Sequence, residues 1–444
     1  MSDVDWSYIP HPVLLKIYHY LNPKERRKIS QVCRSWRECY HHPSFWRNLV
    51  FQIPVKCKPS DAARLDYLAL YACYAQSIRI NVAHDFRKRR RNSSVTKGGN
   101  WSYRDNFIRL LQNIAANITS LLKDFEIYSE LDDTGIVEAI SPILQIVKTS
   151  NLRLFTCSWN SCILPKDIWT YLSQDSPYLE KLCIPVLTRG CSQGDQDSSK
   201  TDLLCTAEVS PANLACLQIL NIRWDMMTSS LLENLQCKTG SKLCKLLLLV
   251  GSHTCDDNQT EYHPSCEQWR EFGKGHQNCK ITLYFVDEFI GVCKSVQNLH
   301  RVDTVKFIEC PEVAPEGITL IFTSHRETLQ ACIIINAQNP TNWQDGYMIG
   351  MYLTHCEKLH SLVVIGHFLN GAIVKLMAHR FGRQLQTYIF PLKFIVMESS
   401  VTEFDIPIAG SELTELKREV SECLERNWNP PTSVDISLHN LVTG

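Results

Sequence analysis

LCKLLL, residues 243–248, is the stretch on which the reading of this chain turns. It holds a leucine, two free positions, then apolar residues at alternate sites, a pattern written L-x-x-h-x-h with h apolar. Alternation of this kind describes a short strand that points every second side chain into a core. The pattern recurs as LKDFEI from Leu122, LRLFTC from Leu152, LEKLCI from Leu179, LACLQI from Leu214 and VDTVKF from Val302. It continues as LQACII from Leu329, LHSLVV from Leu359 and LQTYIF from Leu385, with weaker copies AQSIRI from Ala75 and ITLYFV from Ile281. Starts at 122, 152, 179, 214 and 243 lie 30, 27, 35 and 29 residues apart, and those at 302, 329, 359 and 385 lie 27, 30 and 26 apart.

Between the copies lie helical stretches: NFIRLLQNIAANITSLL, TGIVEAISPILQIVKTS, KDIWTYLSQ, TSSLLENLQ and GAIVKLMAHRFG. One strand and one helix in about 28 residues cannot bury their own apolar face, whereas stacked copies bury a continuous one. The plainer alternative is an ordinary α/β domain whose strands happen to open with leucine. The narrow range of intervals argues against it. Leucine-rich repeats run about 20–29 residues, so these copies sit at the long, irregular end.

Composition narrows the rest. The 444 residues carry 46 Lys plus Arg against 46 Asp plus Glu, so no global field recruits nucleic acid or anionic lipid. No apolar run reaches the roughly 18 residues of a spanning helix. The opening MSDVDWSYIP lacks the basic start and apolar stretch of a signal peptide, so an intracellular chain, cytoplasmic and/or nuclear, is expected. Twenty cysteines are scattered along the whole length, many inside apolar runs, as Cys183 and Cys332 are. They read as reduced, structural thiols. The sequons at Asn92, Asn100, Asn117 and Asn258 are then expected to stay unmodified.

Residues 8–51 form a dense block of aromatic, aliphatic and basic residues punctuated by prolines. Val13, Leu14, Ile17, Tyr18 and Leu21 follow Pro10 and Pro12 at helical spacing, and Asn22-Pro23 ends that helix. KERRKISQVCRSWRECY places Ile29, Val32, Cys33, Trp36 and Tyr40 on one face of a second helix, and SFWRNLVF reads as a third. Three short helices cannot hide so many large apolar groups, because a small domain removes only about 60% of its surface from water. A docking module with a surplus apolar face follows, with a self-contained bundle as the plainer reading.

The succession I-P-x-x-x-L-x-x-I-x-x-Y-L, R-x-x-I-S-x-V-C-R-x-W-R and H-P-S-F-W-R resembles an F-box. The resemblance implies docking to the Skp adaptor of a cullin–RING ubiquitin ligase. Carried over position by position, it assigns adaptor binding to Ile9, Pro10, Leu14, Ile17, Leu21, Val32, Cys33, Trp36 and Trp46. Two departures stand out: Ile9 replaces the usual Leu, and Pro12 sits where an acidic residue is common. The whole chain resembles F-box proteins with degenerate carboxy-terminal leucine-rich repeats, in which the repeats hold a substrate protein.

The expected fold class is α/β: a small three-helix F-box over 5–52, then an irregular leucine-rich-repeat solenoid, or horseshoe, over 53–410. A capping helix and tail over 411–444 complete it, with Ser411 as N-cap and Leu413, Leu416, Val420, Cys423 and Leu424 as the apolar stripe.

The search for chemistry is mostly negative. No phosphate-binding, dinucleotide, zinc-protease or serine-hydrolase motif is present. His253 and Cys255, His263 and Cys266, and His276 and Cys279 alternate between 251 and 279, residue types that suit zinc. With no C-x-x-C knuckle, and with EQWREFG reading as a repeat helix, an inserted loop over 251–264 is expected instead, and no metal or other cofactor. The run Arg87 to Arg91, in a basic loop over 86–104, reads as a solvated insertion or an import signal, with Ser93, Ser94 and Thr96 as conceivable phosphosites. The expected activity is therefore non-catalytic substrate recognition in a ubiquitin ligase. Its partners are the Skp adaptor, cullin scaffold, RING subunit and an unknown substrate protein, with neither membrane nor nucleic acid. A non-degradative scaffold and a zinc-dependent protein are the alternatives.

Overall fold

The computed structural model describes residues 8–54, 58–82, 103–129, 137–159, 171–184 without 173, 214–239, 242–251 and 263–286. It further describes 296, 299–310 without 309, 315–335, 350–366 without 352, 369–391, 395–396 and 408–431. The basic run, Ser93, Ser94, Thr96, His253, Cys255, most of KDIWTYLSQ and the tail from 432 lie outside these residues. The chain divides into two compact units, Met1–Leu179 and Glu180–Gly444. Among the described residues no helix is long and apolar enough to cross a membrane.

The first unit begins with α1 (His11–Tyr20), α2 (Pro23–Ile29) and α3 (Arg34–Tyr40). Asn22 both follows α1 and caps α2: its Oδ1 accepts from the Lys24 and Glu25 amides at 3.0 and 3.1 Å, and Glu25 accepts from its own amide at 2.9 Å. KERRKISQVCRSWRECY is two helices, where the spacing predicted one. Cys33 is fully extended, with φ −156° and ψ 179°, and α3 starts afresh after it. The break lets Ile29 and Trp36, on separate helices, close on the same Leu14–Tyr18–Cys39 cluster.

SFWRNLVF is likewise no helix. A single 3-10 turn, Pro43–Phe45, leads into β1 (Asn48–Ile53), which buries Leu49, Phe51 and Ile53 and exposes the residues between. Period two wins because Leu49, Phe51 and Ile53 all find the sheet's core. The expected boundary at 52/53 therefore falls inside the first strand.

Strand and helix then alternate: α4 (Pro59–Ala69, extended by the 3-10 turn Leu70–Tyr74), β2 (Ser77–Val82), α5 (Tyr103–Asn117), β3 (Asp124–Ser129), α6 (Val137–Thr149) and β4 (Leu154–Trp159). β1 to β4 pair in parallel, each with the next in the chain, in the register Asn48, Ser77, Asp124, Leu154. Ile78, Ile80, Phe125, Ile127, Phe155 and Cys157 fill the core. The opposite face carries the row Val50, Arg79, Glu126, Thr156. Glu126 is buried there, yet Arg79 Nη2 donates to it at 2.8 Å and the Tyr128 hydroxyl at 2.5 Å, so its charge is answered across the strands.

The second unit continues the scheme with β5 (Lys181–Ile184), β6 (Ile219–Arg223), α7 (Ser229–Thr239), β7 (Lys245–Val250), α8 (Cys266–Gly275), β8 (Lys280–Val286) and β9 (Thr304–Ile308). α9 (Pro315–Ser324), β10 (Ala331–Ile335), β11 (Ser361–Ile365), β12 (Leu369–Asn370), α10 (Gly371–Phe381), β13 (Thr387–Ile389), β14 (Ile395–Val396) and α11 (Gly410–Leu424) follow. Parallel pairing runs from β5 through β11 to β13 in chain order, while β12 and β14 pair apart.

Two of the expected repeat frames are wrong here. LACLQILNI satisfies L-x-x-h-x-h from Leu214 and again from Leu217. Pairing with β5 sets Lys181 opposite Ile219, so the copy starts at Leu217, after a turn closed by its amide on the Leu214 carbonyl at 3.0 Å. At β8 the buried set is Ile281, Leu283 and Phe285. The frame from Ile281 had put Tyr284 inward; a slip of one residue moves every side chain to the other face.

Buried Asp303, at the entry to β9, accepts from Arg301, from the Ile281 amide at 3.0 Å and from Gln330 Nε2 at 3.0 Å. It thereby joins the starts of three neighbouring strands.

α11 buries Leu416, Val420 and Leu424, and Lys375 on α10 pairs with its Glu419 at 3.0 Å. Ser411 is not its N-cap. Ala409 holds that place without a side-chain bond, and Gly410 takes the left-handed φ of 60° that glycine tolerates. Beyond the helix, Arg426 and Trp428 donate to the Gln386 and Tyr388 carbonyls at 2.7 and 3.2 Å, satisfying groups at the last strand of the parallel run.

Candidate functional site

The helical module of the first unit is built around α1. Leu14 and Tyr18 point inward against Cys39, and Ile9, Leu15, Ile17, Ile29, Trp36, Tyr40 and Phe45 pack around them. The Tyr18 hydroxyl donates to the Trp36 carbonyl at 2.7 Å, while Arg26 Nε donates to the Tyr18 carbonyl at 2.8 Å, so one residue ties α1 to both later helices. Burial pushes the Tyr18 phenol up to about 12, which keeps it a donor across the physiological range. The Arg26 guanidinium also lies 4.8 Å from the centre of the Phe45 ring.

Trp46 closes the module from below. Its indole nitrogen donates to the Tyr40 carbonyl at 3.1 Å, and its ring stacks on Tyr71 at 3.9 Å between centres. The turn that delivers it is capped by His42, whose Nδ1 accepts from the Ser44 amide at 3.3 Å. Burial, reinforced by His11 and His19, holds the His42 imidazole below its ordinary pKa and so in the neutral form that can accept.

The nine residues assigned to docking thus fall into three groups. Leu14 and Trp46 are buried in the unit's own core. Ile9, Ile17, Leu21, Cys33 and Trp36 are half-buried. Pro10 and Val32 are exposed, Val32 to 62%. The sequence reading missed Tyr8 and Tyr20 and left Val13 on the inner stripe; all three are exposed, Tyr20 to 90%. Only Tyr20 carried a helical signal, as an aromatic off the i, i+3, i+4, i+7 stripe of α1, where a helix normally carries polar groups; Tyr8 lies before the helix and Val13 sits at the edge of the stripe.

The described members of the His/Cys segment do not form a metal centre. His263 stacks on Trp224 at 5.2 Å, and His276 stacks on Phe272 at 4.3 Å at the end of α8. Burial pushes the Cys279 thiol up to about 12, the reverse of what an activated nucleophile requires. Among the described residues no three His, Cys, Asp or Glu side chains gather as metal ligands do. EQWREFG is helical, lying within α8 as its spacing predicted.

Comparison with known proteins meets this geometry at the helical module. Residues 6–52 match the F-box-like family. The chain carries an amino-terminal F-box-like domain. Over 50 residues it is 42% identical to F-box/LRR-repeat protein 21 of Bos taurus and of Mus musculus, and 40% identical to that of Ovis aries. These alignments cover 11% of this chain and span 12% of each relative's length, all of it in the F-box region. The F-box-like domain ends within β1, so its last residues already belong to the parallel sheet.

Proposed function

We propose that the chain is the substrate-recognition subunit of a Skp–cullin–F-box ubiquitin ligase. The observation that carries this reading is an F-box-like domain on whose surface Tyr8, Pro10, Val13, Tyr20 and Val32 are exposed. Exposed apolar groups gathered on a small helical domain favour a partner surface. Pro10 and Val32 make direct contact with the Skp adaptor in this reading, and the half-buried Ile9, Ile17, Leu21, Cys33 and Trp36 border that contact. Leu14 and Trp46 act from inside, by fixing the angle between α1 and the residues that follow.

The parallel strands and their helices form an irregular leucine-rich-repeat solenoid that holds a substrate protein. Through the adaptor, the cullin scaffold and RING subunit bring a charged conjugating enzyme near it. The chain supplies proximity and no bond chemistry, raising the local concentration of substrate lysines. Its place of action is the cytoplasm and/or nucleus.

Co-purification with recombinant Skp adaptor tests the reading. The intact chain forms a stoichiometric complex, and Val32→Asp lowers the affinity by thirtyfold or more, about 2 kcal/mol, as expected for a charge set into an apolar contact. Because Val32 is exposed in the free chain, the thermal midpoint of the variant stays at the parent value. An intact chain that ignores the adaptor sinks the proposal.

A further inference from the structure

Charge is segregated on the sheet of the second unit. The residues of β5 to β9 that alternate with the core set form the other face of that sheet. Among the described residues this face carries Lys181, Arg223, Lys245, Lys280 and Lys306 and no Asp or Glu. The chain as a whole balances 46 basic against 46 acidic residues, so the cations are gathered here and not merely abundant. In the first unit the comparable face answers Arg79 with Glu126 at 2.8 Å. Asp303, at the entry to β9, is buried and engaged by Arg301. Beyond β9 the face turns apolar, with Ile308, Ile333, Ile335, Val363 and Ile365 clustered together. The cations are thus confined to β5 through β9.

This arrangement carries an electrostatic cost. Register sets Lys245 directly opposite Lys280 on the neighbouring strand, and both are exposed. Like charges facing each other across paired strands repel and destabilise. Lys181 stands in the same row, two strands from Lys245 through Ile219. Lys306, beside Ile333, is only 5% exposed; burial and then the Lys245 charge lower its pKa from the ordinary lysine value. A cation held against apolar neighbours attracts an incoming anion more strongly than one in open water, because the local dielectric is low. Singly scattered surface lysines need no explanation, whereas an in-register pair backed by a buried third breaks a local rule, as functional sites do.

We propose that this face, with Lys181, Lys245, Lys280 and Lys306 as its cations, holds an acidic peptide segment of the substrate protein. This rests on the substrate-recognition reading above and adds the chemical class of what is recognised. Neighbouring strands lie about 4.8 Å apart, so the row from Lys181 to Lys280 spans about 14 Å, the reach of about four extended residues. A run of carboxylates of that length meets the row at several points at once and relieves the Lys245–Lys280 repulsion.

The test is titration of the full-length chain with fluorescein-labelled octaglutamate and with the matching octaglutamine, at about 50 and about 300 mM salt, where screening differs. Octaglutamate binds and weakens as salt rises, and octaglutamine does not bind. Lys245→Glu and Lys280→Glu each weaken octaglutamate at least about tenfold. Their unfolding midpoints do not fall below the parent value, since each turns a repelling pair into an attracting one. Lys274→Glu, an exposed charge reversal on α8, keeps the parent affinity. No binding at the lower salt, equal loss in Lys274→Glu, or full affinity in both Lys245→Glu and Lys280→Glu overturns the inference. An oligothymidylate of equal charge that binds more tightly through the same lysines assigns the face to nucleic acid and overturns it too. Recombinant Skp adaptor is titrated in parallel. Adaptor binding without octaglutamate binding removes this inference alone, whereas octaglutamate binding without adaptor binding removes the ligase reading and leaves a receptor for acidic segments.

Discussion

Replacing Trp269 with alanine destabilises the second unit by about 3–5 kcal/mol, the usual range for emptying a large aromatic site in a packed core. Trp269 sits on α8, 1% exposed, stacked 6.3 Å from Trp224 and edge-on to Phe272 at 5.8 Å. Trp224 in turn stacks on His263, and Phe272 on His276, so truncation opens the middle of a continuous aromatic layer. The indole nitrogen of Trp269 is buried without a hydrogen-bond partner. Trp269→Phe is therefore expected to cost far less than the alanine variant, since it removes that orphaned donor while keeping most of the ring area. Urea unfolding of the two variants measures the contrast. Equal losses in both would mean that a phenyl ring recovers none of the indole's packing, and would overturn the expectation.

His325 makes the second unit sensitive to acid. It is 2% exposed, and neither ring nitrogen reaches a hydrogen-bond partner. Burial drives its pKa down to about 4, and the nearby Val296 backbone offsets only part of that. The native state thus prefers neutral imidazole, while the unfolded chain takes up a proton near the ordinary value of about 6.5. Stability is full above that value and falls as pH drops from about 6.5 to about 4, by about 3 kcal/mol over the interval. His276, also lowered by burial, adds to the same slope, so the comparison must be between variants. His325→Phe removes this share of the acid sensitivity. Identical loss of stability between pH 7 and pH 4.5 in variant and parent would refute it.

Much of this was legible in the residues. LCKLLL and its copies located the strands from Leu122, Leu152, Leu179, Leu243, Val302, Leu329, Leu359 and Leu385, because a strand with one face in a core needs apolar residues at alternate positions. α4 and the Trp46–Tyr71 stack escaped that reading: no strand period marks a helix that joins two modules, and a stack between residues 25 positions apart leaves no local trace. The frames at Leu214 and Ile281 escaped for another reason. LACLQILNI offers two equally apolar frames, and at β8 the run ITLYFV is apolar on both faces, so only hydrogen bonding to a neighbouring strand selects the register.

The candidate site divides along the same line. The order of turns, prolines and apolar stripes in residues 8–51 determined by itself that a helical module opens the chain, since helix stops and helical spacing are written locally. The spacing of strands and helices likewise determined that the remainder stacks in parallel. Only the tertiary structure decided which apolar residues face outward. Leu14 and Val32 are both aliphatic and both lie in F-box positions, yet one is fully buried and the other 62% exposed. The difference comes from what closes over each: Tyr18, Cys39 and their neighbours close over Leu14, while the break before Cys33 turns Val32 away from that cluster. Burial is a property of the neighbours a side chain acquires on folding, and neighbours distant along the chain are not encoded in any short window of it.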